Sequence, residues 1–430
     1  MKVLLVGSGG REDALAWALA RSPKLTRLCC APGNAGMERR AACVGIGAEE
    51  VDALVTHARD EAYDLVVVGP EAPLVAGLAD RLRGAGIAVF GPQAAASRLE
   101  GSKVFSKELM MRHGIPTASF RLFDEAGAAR DFLESSDAVF PCVVKADGLA
   151  AGKGVILCDD AARAVEAATG MLERGTFGAA GSRVIVEEML HGREASFFVL
   201  SDGERFVELA TCQDYKRALD GDDGLNTGGM GTYSPSVYLD EATRRTIVET
   251  IVRPTIDAMA EEGTPYRGVL YVGVMLTDDG PKVLEYNARF GDPETQVLMP
   301  RLDGDWLELL HAAATGALAG QQPAWHEQAA VCVVMASGGY PGSYDKGLPI
   351  RGLDATASMD DVVVFHAGTA ARDDGTVVTS GGRVLGVTAL GSDLEAARTR
   401  AYQAVGRIDW DGEHHRNDIA LDAVSQGANR

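Results

Sequence analysis

Short apolar runs alternate with stretches of helical spacing over the first hundred residues. Lys2 to Val6 is apolar, Gly7-Ser8-Gly9-Gly10 breaks the run, and Arg11 to Arg21 then sets Leu15 and Leu19 at helical spacing. Strand, glycine turn and helix in that order open a doubly wound sheet. Apolar runs at Leu65 to Val68 and Ile87 to Phe90, with a helical pattern between them, continue the β-α alternation. Asp64 precedes the first of these runs, away from the edge where ligands bind, and is expected to be solvent-exposed and nothing more.

The pattern changes at Gly101. Ser102 predicts an N-cap for a helix from about Lys103 to His113, with Gly114 as its stop and Pro116 beyond. Val143-Val144-Lys145 ends a buried strand, and Ala146 to Val155 forms a glycine-rich loop into the next strand. Its sequence lacks the Ser or Thr after Lys153 that a Walker A loop needs, so it reads as a flap whose amides can fold over phosphates. Ser182 to Glu187 is another strand. Val272 to Leu276 and Lys282 to Asn287 flank the turn Thr277-Asp278-Asp279-Gly280 and predict a hairpin. Strict alternation puts Val283, Glu285, Asn287 and Arg289 on one face and Leu284 with Tyr286 on the other. After Pro323, strands at Ala329 to Met335 and Val362 to Phe365, a strand led by Gly381-Gly382-Arg383, and a helix from Asp393 to Ile408 form a small α+β domain.

Composition narrows the function. At 430 residues, 46% hydrophobic and 24% charged, the chain has room for about three domains of ~150 residues. A net charge of -20 argues against nucleic acid or anionic membrane as a partner, so a phosphate ligand must be held by local cations, metal and amides. Seven cysteines with no C-x-x-C pair fit a reducing cytoplasm. The first apolar run is cut by Gly7 and then by Arg11, Glu12 and Asp13, unlike a signal peptide, and no apolar run reaches the ~18 residues of a membrane span.

The candidate chemistry gathers in loops. Three glycine turns, Gly7 to Gly10, Pro32 to Gly36 and Gly69 to Pro73, share one edge of the first sheet and make a pocket there. A dinucleotide fingerprint fails, because Glu12 stands at the third glycine and Cys29-Cys30-Ala31-Pro32 supplies no acid, which disfavours a nicotinamide cofactor. Glu285 and Asn287 offer two oxygens to one point, which suits Mg2+ with shell positions left for phosphate and water; the plainer reading is a solvated hairpin face. Arg289 and Asp292 suit the two ends of a zwitterion, or form an ordinary ion pair. Lys145 binds a ligand or snorkels to solvent. Glu187, Leu190 and Glu194 suit an adenine and a ribose, or belong to an acidic hairpin. Gln213 to Arg217 and Asn226 to Gly231 are costly to order unless they bind something.

Taken together, GSGGRE near the start, GPEAPL at 69–74, EGSK at 100–103, KADGLAAGKGV at 145–155, NTGGMG at 226–231, EYNARFGDPETQ at 285–296 and SGGYPG at 337–342 resemble the phosphoribosylamine-glycine ligase family of the ATP-grasp superfamily. The likeness spans essentially the whole chain. It implies an N-terminal Rossmann-like substrate-binding domain at 1–100, an ATP-grasp domain of two subdomains at 101–326 with a flap at about 122–190, and a C-terminal α+β domain at 327–430. It implies ATP on Lys103, Lys145, Gly152, Lys153, Gly154, Glu187, Leu190 and Glu194, and Mg2+ or Mn2+ on Glu285 and Asn287. Substrate binding falls to Gly9, Gly10, Arg11, Glu12, Asn34, Glu71, Asn226, Thr227, Gly228 and Gly229, and catalysis to Asp214, Lys216, Arg289 and Asp292. The implied reaction joins glycine to 5-phosphoribosylamine at the expense of ATP, through glycyl phosphate, in cytoplasmic purine biosynthesis. The implied state is a monomer, with a weak homodimer as the alternative. Three residues depart from the family pattern: Asp13 and Tyr215 where histidines are usual, and Leu225 where a proline is usual. A carboxylating or formylating ligase, a nicotinamide-dependent oxidoreductase and a non-catalytic nucleotide sensor are the rival readings.

Overall fold

Strands buried on both faces need apolar residues at every position, and the first sheet has them: Val3 to Val6 and Leu65 to Val68 are all buried. Its five parallel strands are β1 (Lys2–Gly7), β2 (Arg27–Pro32), β3 (Ala42–Cys43), β4 (Leu65–Val68) and β5 (Ala88–Phe90), in the order β3-β2-β1-β4-β5. The order reverses between β1 and β4, so the turns after β1, β2 and β4 meet at one edge. Asp64 is exposed and accepts the Lys2 backbone N–H at 2.7 Å. The computed structural model describes residues 1–148, 154–174 and 182–427. Gly152 and Lys153 lie outside the described residues.

Next comes the helix Lys103–Arg112, whose Ser102 cap accepts the Phe105 N–H at 3.1 Å, and Gly114 follows with φ +65. The flap is an antiparallel sheet of β6 (Phe120–Phe123), β7 (Cys142–Ala146), β8 (Val155–Cys158) and β9 (Val184–Glu188), in the order β6-β9-β7-β8. Helices Ala126–Leu133 and Ala161–Arg174 belong to the same unit, and Leu133, Val144, Ala168 and Val186 share its core.

The middle of the chain supplies β10 (Arg193–Asp202), β11 (Phe206–Glu208), β12 (Gln213–Leu219), β13 (Asp223–Ser234), β14 (Arg267–Thr277) and β15 (Gly280–Asn287). Four of these form the sheet β11-β10-β14-β15. A short pair, β16 (Leu302–Asp303) and β17 (Ala324–Trp325), precedes β18 (Ala329–Ser337), β19 (Val362–His366), β20 (Thr369–Ala371), β21 (Val377–Thr379), β22 (Arg383–Gly391) and β23 (Glu413–His414). The hairpin β12-β13 joins this later set in the order β12-β13-β18-β22-β19, so the C-terminal sheet runs across the expected boundary at 326/327. Asp393 caps the helix Leu394–Val405, whose Ala397 and Ala401 pack with Val331 and Val387.

The hairpin β14-β15 corrects one expectation. Asn287, Tyr286 and Glu285 oppose Tyr271, Val272 and Gly273, but Val283 opposes Val274, so Leu284 is an extra residue in the ladder. Such a bulge reverses the alternation, and Val283 joins Tyr286 in the apolar core instead of sharing a face with Glu285. Val3 and Leu5 of the first sheet, Leu200 and Val269 of the middle, and Ala330 with Phe365 of the last all lie in one apolar cluster. That shared core brings the loops of three chain segments to one place. Among the described residues no helix is long and apolar enough to cross a membrane.

Candidate functional site

Glu285 and Asn287 stand two residues apart beyond the bulge, both on the face away from Tyr286. Gly273 lies opposite Glu285, and a Cβ there would come within 3.3 Å of the Glu285 Cγ, so the glycine makes room for this carboxylate. Burial raises the Glu285 carboxyl, but Lys216, Lys145, Lys103 and Arg289 together leave it below the usual carboxylate range. Among the described residues neither side chain has a hydrogen bond or ion pair. An ionised, unpartnered carboxylate beside a carboxamide oxygen, ringed by cations, fits a hard divalent ion that shares its shell with phosphates. No group of three or more His, Cys, Asp or Glu suited to a metal occurs among the described residues, so the protein itself offers few ligands.

The cations mark the nucleotide side. Lys103 donates to the Gly148 carbonyl at 3.0 Å, and Lys145 lies 2.9 Å from Glu187 Oε2. Lys107, which sequence reasoning passed over, shares that same oxygen at 3.2 Å and donates to Thr117 at 2.7 Å. Burial lowers the Lys107 ammonium to about 8 despite Glu187. Among the described residues the other Glu187 oxygen, Oε1, is buried without a partner. A buried acceptor left open in this way is unusual in a finished core and suits an incoming N–H donor such as a base amino group. Leu190 follows β9 and is half-buried; Gly154 is buried and its carbonyl accepts the Ala146 N–H at 2.8 Å. Glu194 is exposed and pairs with Lys216 at 2.9 Å, which links a residue expected at ATP to one expected at the reacting centre.

Asp214 lies next to this pair. Burial raises its carboxyl to about 7 against the opposing effect of Lys216, whose Nζ is 3.9 Å away. Ser196 Oγ lies 3.4 Å from Asp214, 3.2 Å from Glu294 and 2.9 Å from the Tyr271 hydroxyl. Glu294 is buried and went unassigned in the sequence, although it stands in the same string as the metal pair. Arg289 pairs with Glu71 at 3.3 Å and with Glu100 at 3.1 Å. Glu100 also accepts the Ala288 N–H at 2.7 Å, and burial raises its carboxyl to about 7 in spite of Arg289. Glu71, expected at the sugar phosphate, and Arg289, expected at the amino acid, are therefore direct partners.

At the edge of the first sheet Glu12 is an internal strut. It accepts the Gly9 N–H at 2.7 Å, pairs with Arg11, and fills the space that a Cβ on Gly7 or Gly69 would need. Asn34 donates to the Ser8 and His366 carbonyls, both at 2.8 Å, and accepts from Gly36 and Met37. Arg11 donates to the Phe290 carbonyl at 3.2 Å. The side chains of Glu12 and Asn34 thus shape the turns, and the open space lies beside them. A cavity of about 360 Å³ is lined by Ser8, Gly9, Gly33, Asn34 and Asp292 together with Ala367 to Thr369, Ser380 and Arg383. A Cβ on Gly10 would meet Gln296 at 2.7 Å. Burial raises the Asp292 carboxyl, but Arg383 and Arg11 lower it more.

The stretches expected as binding loops are strands: Gln213 to Arg217 lies in β12 and Asn226 to Gly231 in β13. Thr227 donates to the Lys216 carbonyl at 2.9 Å and accepts the Gly229 N–H at 3.0 Å, while Arg383 donates to the Gly228 carbonyl at 2.7 Å. Gly229 has φ +117, and a Cβ there would meet Pro293 at 2.5 Å. Asn226 is exposed. Two of the three departures find partners. Asp13 is buried, accepts the His366 N–H at 2.7 Å and pairs with Arg40 at 3.1 Å, and burial raises its carboxyl to about 6. Tyr215 donates to Asp422 and accepts the Ala420 N–H at 3.0 Å, whereas Leu225 is 67% exposed.

Three segments of the chain match three domain descriptions in order: "Phosphoribosylglycinamide synthetase, N domain" over residues 1–100, "ATP-grasp (A) domain" over 101–295 and "C domain" over 330–422. The chain belongs to the phosphoribosylglycinamide synthetase family. A relative from Rhizobium meliloti (strain 1021), named phosphoribosylamine–glycine ligase, is 53% identical over 99% of both chains. The crystal structure of phosphoribosylamine–glycine ligase from Thermotoga maritima has a TM-score of 0.86 at 32% identity, covering 98% of this chain and 100% of that one. The biotin carboxylase domain of the Hydrogenobacter thermophilus 2-oxoglutarate carboxylase, solved with MgADP and bicarbonate, has a TM-score of 0.74 at 16% identity and shares the fold. Within the phosphoribosylglycinamide synthetase frame, the cations around Glu285 sit in the A domain, and the cavity opens where the N and C domains meet.

Proposed function

We infer that this chain is an ATP-dependent ligase that joins glycine to 5-phosphoribosylamine, with Mg2+ or Mn2+, giving glycinamide ribonucleotide, ADP and phosphate for purine biosynthesis. The observation that carries the assignment of roles is the unpartnered pair Glu285 and Asn287 inside the ring of Lys103, Lys145, Lys216 and Arg289. A divalent ion held by that pair supplies charge neutralisation for the phosphates of ATP.

Carboxylates are poor acyl donors, so glycine's carboxylate first attacks the γ-phosphorus of ATP and ADP leaves. The amine of phosphoribosylamine then attacks the acyl carbon of glycyl phosphate, and phosphate leaves. Both steps ask for positioning and charge compensation more than for an enzyme nucleophile. Lys103 and Lys145 neutralise the nucleotide's phosphates, while Glu187 and Leu190 receive its base and Glu194 its ribose. Asp214, Glu294 and Asp292 present anions to glycine's ammonium, and Lys216 and Arg289 face its carboxylate. Asp214, with its carboxyl near 7, is suited to take the proton that the attacking amine sheds. The glycine turns of the first domain, residues 226–229 of β13 and Glu71 enclose phosphoribosylamine.

The state proposed is a monomer, with a weak homodimer as the alternative. The cysteines of the described residues are all free, which supports a reducing compartment such as the cytoplasm. The test is a coupled assay for ADP release with freshly generated phosphoribosylamine. Release should require glycine, and neither bicarbonate nor formate should replace it; release driven by either of those would identify a different ligase.

A further inference from the structure

Lys107 is 2% exposed and bears a charge that no step of the reaction uses. It lies one turn after Lys103 on the helix Lys103–Arg112, and residues four apart share a helix face. Lys103 reaches the Gly148 carbonyl, whereas Lys107 reaches Glu187. Resting on the ligase reading above, we propose that Lys107 is a positioning residue for base selection: it holds one oxygen of Glu187 so that the other stays open to an amino group of the nucleotide's base.

The backbone of Glu187 is fixed, and its side chain is what remains to be aimed. β9 runs between β6 and β7, so Glu187 is opposed by Phe120 on one side and by Val143 on the other. Lys145 stands two residues beyond Val143 and therefore on the face of Glu187. Both lysines meet the same oxygen, Oε2, Lys145 at 2.9 Å and Lys107 at 3.2 Å. Oε1 has no partner among the described residues. With both cations on one oxygen, the rotation of the carboxylate is set and Oε1 is left for another donor. As the anion of two ion pairs, Glu187 can only accept hydrogen bonds. A base amino group answers it. A base carbonyl would set acceptor against acceptor and leave buried polar atoms unsatisfied.

The two lysines are not equivalent. Lys145 lies 3.5 Å from the Leu284 carbonyl and faces the phosphates of the nucleotide, so binding draws it away from Oε2. Lys107 is anchored: it donates to Thr117 Oγ1 at 2.7 Å, and that hydroxyl donates to the Val283 carbonyl at 2.8 Å. Its Nζ also lies 5.5 Å from the centre of the Phe120 ring, within reach of a cation-π contact. Lys107 thus keeps Glu187 in place when Lys145 turns to the phosphates. Because Val283 belongs to β15, the same anchor ties the base contact to the strand of Glu285 and Asn287.

ADP and inosine diphosphate carry an amino group and a carbonyl at the same ring position, and each is titrated calorimetrically with Mg2+ into the full chain. The parent should prefer ADP by roughly 100-fold, as a site built around a hydrogen bond does. Lys107→Met removes the charge and keeps an unbranched side chain; it should cut that preference about tenfold or more, the worth of a hydrogen bond to a charged group. A purely structural role would weaken both nucleotides alike and leave their ratio unchanged. Thr117→Val removes the anchor and keeps both charges, and should lower the ratio about threefold. A ratio within about twofold of the parent's in Lys107→Met overturns the proposal, and Thr117→Val decides by the same criterion if Lys107→Met does not fold. Equal binding of the two nucleotides by the parent also overturns it. These ratios come from binding alone, so absence of glycine-dependent ADP release in the parent is a separate outcome that removes the ligase assignment.

Discussion

An ionised carboxylate set among four cations, yet bonded to none of them among the described residues, is an incomplete arrangement that a ligand finishes. Glu285 is in that state, and Glu285→Ala should lower glycine-dependent ADP release at least 100-fold while the melting temperature stays within a few degrees. Retained turnover would remove the metal assignment. Glu100 is the opposite case, a buried acid with partners. Its folded value of about 7 lies above the ordinary 4.5, so the folded chain holds this proton more tightly than the unfolded chain does. The stability it contributes is complete below about pH 4.5 and is lost as pH rises to about 7, a change on the order of 3 kcal/mol. Denaturant titrations from pH 5 to 7.5 should show that decline in the parent and a flatter profile in Glu100→Gln; equal slopes would contradict it. That Glu285 and Asn287 share a face and that Lys145 stands near a strand end was legible in the sequence, because apolar and alternating patterns frame them. Lys107, Glu100 and Glu294 were not, since a charged residue inside a helix or at its start looks the same whether it faces solvent or is buried.

Elements read well where local chemistry decides them. Ser102 signals a cap by its own residue type, and the strands of the first sheet show in their unbroken apolar runs. The bulge at Leu284 left no such mark, because a single extra residue in a ladder depends on the partner strand. Nor was the second function of the Ser102 cap visible. Asp147, at the entrance of the glycine-rich loop, accepts from Ser102 Oγ at 3.0 Å and from the Val104 N–H at 3.2 Å, and pairs with Arg183 at 2.6 Å. Asp147 is thereby fastened to the start of the helix that carries Lys103. Asp147→Ala should cost about 1–2 kcal/mol in stability through the lost cap contacts and raise the KM for ATP several-fold with little change in the KM for glycine. A KM for ATP equal to the parent's would show that this fastening has no bearing on the nucleotide.

For the whole molecule, three domains share a core and place their loops in one site. The N-terminal and C-terminal domains are tied by Asn34 to the His366 carbonyl and by Asp13 to the His366 N–H. The hairpin that carries Asp214 and Lys216 pairs with the C-terminal sheet. Domain number and order were legible from composition and from the succession of patterns. The crossing of β12-β13 into the last sheet was not, because its partner strand lies about a hundred residues away and either sheet would bury its apolar residues. With the loops assembled in this way, the central claim is that Glu285 and Asn287 hold the divalent ion of the nucleotide. A crystal structure with Mg2+ and a non-hydrolysable ATP analogue tests it most directly. The ion should lie about 2.1 Å from an oxygen of each residue and bridge to the analogue's phosphates; an ion bound elsewhere, with Glu285 turned away from it, would contradict the claim.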